Sequence, residues 1–375
     1  MIKITVLGAG MVGSAIAVDL SDRYQVSVAD ISDESLNKLN RFSIQTIQTD
    51  LTEPENIQKV IKEADLVVNA VPGHLGYKTL RTIIETGKNV VDIAFFSEDP
   101  FTLDALAKKN RVTAVVDCGV APGMSNMILG RHNKDMTIES FCCMVGGLPL
   151  HPEWPFQYKA PFSPADVLEE YTRPARLVEK GRVVVKSALS DIELVDIKPA
   201  GQLEAFNTDG LRTLIDTMKI PEMKEKTLRY PGHIELMKIF RETGFLDKEP
   251  LTLNKTTVIP LDITSKLLFP LWKLGEEEAE FTIMTITMTG QKEGKPLNLA
   301  YFLYDEYDKT TKTASMSRTT GYACTAVADL VIKNRYAHKG ISPPEFIGAD
   351  SDCFRYVLEY QKERGIQYRM EEISG

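Results

Sequence analysis

The residues best placed to do chemistry in this sequence include three that have no side chain. Gly8, Gly10 and Gly13 stand in Gly8-Ala9-Gly10-Met11-Val12-Gly13, after the apolar run Ile2 to Leu7 and before a helical stripe from Ser14 to Leu20. Glycines spaced this way allow a tight turn, a close backbone approach to a phosphate, and close packing of helix on strand. The first amides of the helix, those of Met11, Val12 and Gly13, then face an anion. Gln25 to Asp30 is a second short strand ending on a carboxylate. About twenty residues beyond the turn, such an acid accepts both ribose hydroxyls of an adenosine. Strand, glycine turn, helix, strand and acid together predict a bound dinucleotide, a bare structural turn being the alternative. Asp30 repels a 2′-phosphate, and Ile31, Ser32 and Asp33 supply no arginine to welcome one, so the expected cofactor is NAD rather than NADP.

Other reactive side chains lie where strands end. Asp117, in Val115-Val116-Asp117-Cys118-Gly119-Val120-Ala121-Pro122-Gly123, could bind an amine or take its proton; it could equally cap the helix that follows. Asp92 closes the strand Asn89 to Ile93 and has the same two readings. Leu66 to Ala70 reads as a buried strand running into the turn Val71-Pro72-Gly73, and Ala70, Val71 and Pro72, with Cys118 and Gly119, complete the expected cofactor-binding set. Cys118 itself reads more as a packing residue than as a nucleophile. Further on, Thr227-Leu228-Arg229-Tyr230-Pro231-Gly232-His233 gathers a cation, a phenol and an imidazole. Arg229 could clamp a carboxylate and His233 could shuttle a proton, unless this is a surface turn with a capping histidine. Asn207, Thr208 and Arg212 form a similar polar turn, in which Asp209 could simply cap a helix. Gly146-Gly147-Leu148-Pro149 reads as a strand end that brings backbone close to a ligand.

Two kinds of scaffold must hold these groups. Over the first third of the chain, strand-like and helix-like segments alternate with short crossovers. Six strands are expected, and they read as a doubly wound parallel sheet whose ligands lie beyond the carboxyl ends of the strands. After Gly123 the period changes. Thr137–Val145, Arg182–Ser187, Phe281–Thr289 and Leu297–Tyr307 read as strands, with short helices at 164–171, 209–217 and 232–242. This predicts an α+β domain with a mostly antiparallel sheet. The expected boundaries are a Rossmann-type domain over 1–124 and a substrate and dimerisation domain over 125–318. C-terminal helices over 319–375 are expected to pack back on the first domain.

Composition narrows the function. A net charge of −8 gives no basic footprint for nucleic acid or an anionic membrane. No apolar run is long enough to span a bilayer, and a first strand beginning at Ile2 leaves no room for a leader. Five cysteines without a Cys-x-x-Cys pair, and five scattered histidines, point to a reducing cytoplasm and to no metal site.

Taken in order, these motifs, with Val90-Val91-Asp92-Ile93-Ala94, Ser317-Arg318-Thr319-Thr320-Gly321-Tyr322 and Pro343-Pro344-Glu345, resemble the saccharopine dehydrogenase/reductase family over nearly the whole chain. The resemblance implies a Rossmann domain with an inserted α+β domain that closes over an amino-acid substrate, and a homo-oligomer, expected to be a dimer. It also implies hydride transfer from a carbon bearing nitrogen. Saccharopine-cleaving members carry an acid just before the Pro-Gly pair, where this chain has Ala121, and they tend to use NADP. That departure predicts oxidation of the ε-amine of free L-lysine. Arg229, Arg212, Asn207, Thr208 and Tyr230 would bind the substrate, and Asp117, Asp92 or His233 would handle protons. A saccharopine-type carbon–nitrogen oxidoreductase and a non-catalytic dinucleotide sensor are the alternatives.

Overall fold

The computed structural model describes residues 1–275 and 278–373. The chain forms two compact units, Met1–Met136 with Met316–Tyr368, and Thr137–Ser315 with Arg369–Gly375.

The first unit is built on parallel strands β1 (Lys3–Leu7), β2 (Gln25–Asp30), β3 (Ile44–Gln48), β4 (Leu66–Asn69), β5 (Asn89–Asp92) and β6 (Thr113–Val115). Helices cover both faces of such a sheet, so its strands are continuously apolar; Val67, Val68, Val90 and Val91 have no exposed surface. A seventh strand, Gly340–Ser342, pairs parallel with β6 and completes the spatial order Gly340–Ser342, β6, β5, β4, β1, β2, β3. Three residues are too few to show a period, so this strand was not expected. The order reverses between β1 and β4, the topological switch point at which a crevice opens beyond the strand ends.

Both domain boundaries move. The helix Met124–His132 belongs to the first unit instead of opening the second. At the other end, Tyr368–Glu372 leaves the C-terminal helices and adds a strand to the sheet of the second unit beside Lys295–Glu306. From Met316 on, the helix Ser315–Ile332 belongs to the first unit, as does Ser351–Lys362. They are tied to the first helix, Met11–Ser21, by a charge network. Arg23 donates to the fully buried Asp329 carboxylate at 2.9 Å, and Tyr360 donates to Asp19 at 2.6 Å.

The second unit holds a nine-stranded sheet. Thr137–Pro149 lies at its centre, antiparallel to Glu280–Lys292 and parallel to Glu222–Arg229. The long hairpin Glu280–Lys292/Lys295–Glu306 turns on Glu293-Gly294. Gly146 sits inside the central strand, not at its end. A Cβ there would lie 2.8 Å from that of Leu228, so the close approach it permits is to a neighbouring strand and not to a ligand. The expected helix over 209–217 shortens to Leu214–Thr217. Arg212 is left-handed (φ 51°), and Asp209 accepts from Arg176 at 2.8 and 2.9 Å in place of capping a helix. Tyr158, Tyr171, Phe206, Trp272 and Phe281 belong to the unit's hydrophobic core.

Candidate dinucleotide and substrate sites

At the switch point of the first unit, the glycine turn has the shape a pyrophosphate requires. A Cβ on Gly8 would fall on the Ala70 carbonyl, and one on Gly13 on the Gly8 carbonyl. A Cβ on Gly10 would meet nothing within 4 Å. Two glycines are therefore demanded by the protein's own packing, and the third leaves a cradle open on the ligand side. The helix Met11–Ser21 begins there with Gly10 as its extended N-cap, so the amides of its first turn have no preceding carbonyl to serve. The Asp30 carboxylate, at the end of β2, receives the Ala9 amide at 2.6 Å and the Ser32 amide at 2.8 Å. Each oxygen keeps acceptor capacity, and the charge stands beside the turn. These residues fit a dinucleotide. Ala70, Val71 and Pro72 line the loop after β4, with the Ala70 amide bonded to the Leu7 carbonyl at 2.8 Å.

Around β5 and β6 the expected candidates separate. The Asp92 carboxylate is fully buried; it accepts from the Asn69 amide at 2.7 Å and from the Ala94 amide at 2.6 Å, and the Asp92 carbonyl receives the Cys118 amide. Asp92 therefore ties β4, β5 and the Asp117 turn together and is not exposed to act as a base. Asp117 is only 2% exposed and left-handed (φ 52°), a conformation that costs about 1–3 kcal/mol for a side-chain-bearing residue and recurs at functional turns. Burial pushes the Cys118 thiol well up, as befits a packing residue with no exposed surface. Beside it, a Cβ on Gly119 would lie 3.1 Å from the Thr320 methyl. Thr320 therefore borders this turn, which no local pattern in the sequence revealed.

In the second unit, the residues expected to hold substrate are largely engaged with one another. Arg229 is 2% exposed, donates from Nη2 to Glu170 at 2.6 Å and from Nε to the Tyr171 hydroxyl at 2.9 Å, and lies over the Tyr158 ring. Burial opposes its charge, but the Tyr158 and Tyr171 phenols and the Glu170 carboxylate hold it firmly protonated. It is a core cation rather than an open clamp. His233 corrects its expected role in the same way. Its Nδ1 faces the Phe156 carbonyl at 2.8 Å and its Nε2 the Tyr171 hydroxyl at 2.9 Å. A carbonyl can only accept, so Nδ1 carries the proton and Nε2 receives the Tyr171 O–H. Burial, with the Arg229 charge nearby, lowers its pKa to about 3, which leaves it neutral and a poor base at pH 7. Tyr230 donates to the Pro149 carbonyl at 3.0 Å. Asn207 donates to Asp191 at 2.9 Å and Thr208 meets the Thr227 hydroxyl at 3.1 Å. Arg212 is 4% exposed. Glu170 and Tyr171 belong to this cluster too; sequence reasoning passed over them because they look like ordinary residues of an amphipathic helix.

A Rossmann-type nucleotide unit followed by a separate, mostly antiparallel sheet unit defines the class. Residues 4–115 match the saccharopine dehydrogenase NADP binding domain and residues 119–366 the saccharopine dehydrogenase C-terminal domain. The chain belongs to the saccharopine dehydrogenase family. It is 24% identical over 277 residues to the mitochondrial alpha-aminoadipic semialdehyde synthase of Rattus norvegicus, covering 69% of this chain and 30% of that one. It is 24% identical over 266 residues to the saccharopine dehydrogenase [NADP(+), L-glutamate-forming] of Schizosaccharomyces pombe, covering 66% and 59%. The chain thus spans less than two thirds of the length of these relatives. Apo saccharopine dehydrogenase (L-Glu forming) from Saccharomyces cerevisiae has the same fold, with a TM-score of 0.80 and 19% identity over the whole of both chains.

Proposed function

We propose that this protein is an NAD-dependent dehydrogenase of the lysine 6-dehydrogenase kind, oxidising the ε-amine of L-lysine to the semialdehyde, which cyclises unaided. The observation that carries the cofactor half is Asp30, whose charge stands at the end of β2 beside the glycine turn. The substrate half rests on Ala121, where saccharopine-cleaving members of the family carry an acid.

Gly8, Gly10, Gly13 and the first helical turn would hold the pyrophosphate, and Asp30 the adenosine ribose. When bound, the dinucleotide supplies the two-electron acceptor for the amine carbon. Asp117, at the left-handed turn after β6, is the group placed to hold a proton at the amine nitrogen or at the attacking water. Arg229 or Arg212 would hold the α-carboxylate. Only a neutral amine can surrender hydride, so activity rises toward alkaline pH, the reference amine pKa being about 10.4.

A second reading, a saccharopine-type carbon–nitrogen oxidoreductase, is favoured by the names of the relatives, two of which are quoted above. Incubation with lysine or saccharopine under NAD and under NADP separates the two. NADH formed with lysine, and ammonia released, supports the first; glutamate released from saccharopine with no turnover of lysine establishes the second. Dinucleotide binding without turnover of either would leave a sensor.

A further inference from the structure

The motif Ser317-Arg318-Thr319-Thr320-Gly321-Tyr322 occupies the first turns of the helix Ser315–Ile332. One face of that helix is seated on the glycine-turn helix Met11–Ser21. A Cβ on Gly321 would lie 3.3 Å from the Ile16 side chain and 3.8 Å from that of Ala15. Farther along, Asp329 accepts from Arg23 at 2.9 Å. Gly321 and Asp329 are eight residues apart and Ile16 and Arg23 seven, so the two helices run side by side in the same direction. The turn before Gly321 therefore stands over the first turn of Met11–Ser21, whose amides face the pyrophosphate. Thr320, on the same face, borders Gly119, where a Cβ would lie 3.8 Å from the Thr320 Oγ1. The Cys118 amide donates to the Asp92 carbonyl at 2.9 Å and so keeps this stretch beside the end of β5.

Ser317 shares this face, at i to the i+3 of Thr320 and the i+4 of Gly321. It is 2% exposed, and its hydroxyl oxygen has no hydrogen-bond partner among the described residues. Close packing of two helices asks for a small residue at this position, and alanine would meet that need. It gives no reason for a buried hydroxyl, whose desolvation costs stability until a bond is made. The Thr320 hydroxyl reaches the Met316 sulfur at 3.7 Å, a weak acceptor. We propose that Ser317 and Thr320 bind the nicotinamide riboside half of the dinucleotide. This rests on the dinucleotide reading of the glycine turn. With the adenosine at Asp30 on the end of β2, the other half of an extended dinucleotide crosses the switch point toward β4 and β5. That path leads along the face carrying Ser317 and Thr320. A hydroxyl both donates and accepts, which matches the ribose hydroxyls and the carboxamide of the riboside. The phosphates are already served by the glycine turn and its helix.

Titration calorimetry on the full chain with NADH, ADP-ribose and ADP tests this, using the wild type, Thr320→Val, Thr320→Ser and Ser317→Ala. ADP keeps the adenosine and both phosphates but lacks the riboside; ADP-ribose lacks only the nicotinamide. Thr320→Val should weaken NADH binding about 3- to 10-fold, the worth of one hydrogen bond between neutral groups, and leave ADP binding unchanged. Thr320→Ser, which keeps the hydroxyl, should restore NADH affinity. Ser317→Ala should weaken NADH binding by a similar factor, yet the ligand-free protein should melt at the same temperature or higher, because an unpaired buried hydroxyl has gone. An equal loss with ADP-ribose assigns the hydroxyls to the ribose, and a loss confined to NADH assigns them to the carboxamide. Unchanged NADH affinity in either variant, or an equal loss for NADH and ADP, overturns the proposal. So does a ligand-free Ser317→Ala protein that melts lower than the wild type. A wild type that prefers NADPH would refute the role given to Asp30 instead; the riboside half is common to both dinucleotides, and the same losses are then expected with NADPH. A wild type that binds neither overturns both.

Discussion

The Oδ2 atom of Asp30 accepts the amide of Ala9 at 2.6 Å, so the acid that would select the cofactor also holds the glycine turn in shape. These two tasks can be separated. Asp30→Asn keeps an acceptor for the Ala9 amide and removes the charge; Asp30→Ala removes both. Both variants should narrow the preference for NAD over NADP. Asp30→Ala should also weaken NAD binding about 10- to 100-fold, in keeping with the loss of charge-assisted hydrogen bonds worth roughly 1.5–3 kcal/mol. Titration calorimetry with each dinucleotide checks this. A wild type that binds NADP as tightly as NAD would show that Asp30 does not discriminate.

Gly10 and Gly13 should respond in opposite ways to one added methyl group. A Cβ on Gly10 meets nothing in the protein, whereas one on Gly13 falls on the Gly8 carbonyl. Gly10→Ala should therefore keep the wild-type melting temperature and lose dinucleotide affinity at least 10-fold. Gly13→Ala should lose about 1–3 kcal/mol of stability through overpacking. If Gly10→Ala binds normally, the pyrophosphate does not lie against this turn.

Protonation of His233 should make the fold acid-sensitive. Its pKa falls from the ordinary 6.5 to about 3 on folding, so between those values the unfolded chain holds a proton that the native one does not. Stability is then complete above pH 6.5 and is lost as the pH falls toward 3, by at most about 1.4 kcal/mol per pH unit. Urea melts at pH 7.5, 6 and 5 measure the slope. His233→Gln, which has no titrating ring, should be less stable at neutral pH and lack this share of the slope; an unchanged slope would assign the acid sensitivity to other groups.

Arg229→Ala should damage the fold before it damages substrate binding. It strips Glu170 and Tyr171 of their partner within the aromatic core, and breaking a buried ion pair from one side costs about 3–5 kcal/mol, toward the low end here because the Glu170 side chain is 18% exposed. Denaturant melts should show the loss directly. A stable Arg229→Ala protein with a raised KM alone would restore the carboxylate-clamp role.

Asp117→Asn tests the remaining acid. If Asp117 holds a proton in the transition state, kcat should fall by about 100-fold or more while KM changes little, and the rising limb of the pH profile should be altered. Steady-state kinetics with lysine across pH 7–10 provides the measurement. Equal losses in the buried and tied Asp92→Asn, with lowered melting temperature in both, would mark the two as structural acids alike.

The sequence by itself determined the nucleotide-type unit, because everything that specifies it is local. Gly8 to Gly13, the helix behind them and the strand ending at Asp30 lie within thirty residues, and parallel strands buried on both faces announce themselves as apolar runs. The change of period after Gly123 likewise revealed a second architecture. What only tertiary structure decided is the use made of each buried charge. The partners of Arg229 are Glu170 and Tyr171, 59 and 58 residues earlier; His233 reaches back 62 residues to Tyr171, and Arg23 reaches 306 residues forward to Asp329. No periodicity encodes such pairings, since a cation at a strand end reads the same whether a substrate or a carboxylate of its own chain will neutralise it. The three-residue strand Gly340–Ser342 and the approach of Thr320 to Gly119 were hidden for a related reason. Their positions are fixed by the packing of elements far apart in the chain, and no residue nearby in sequence records that packing.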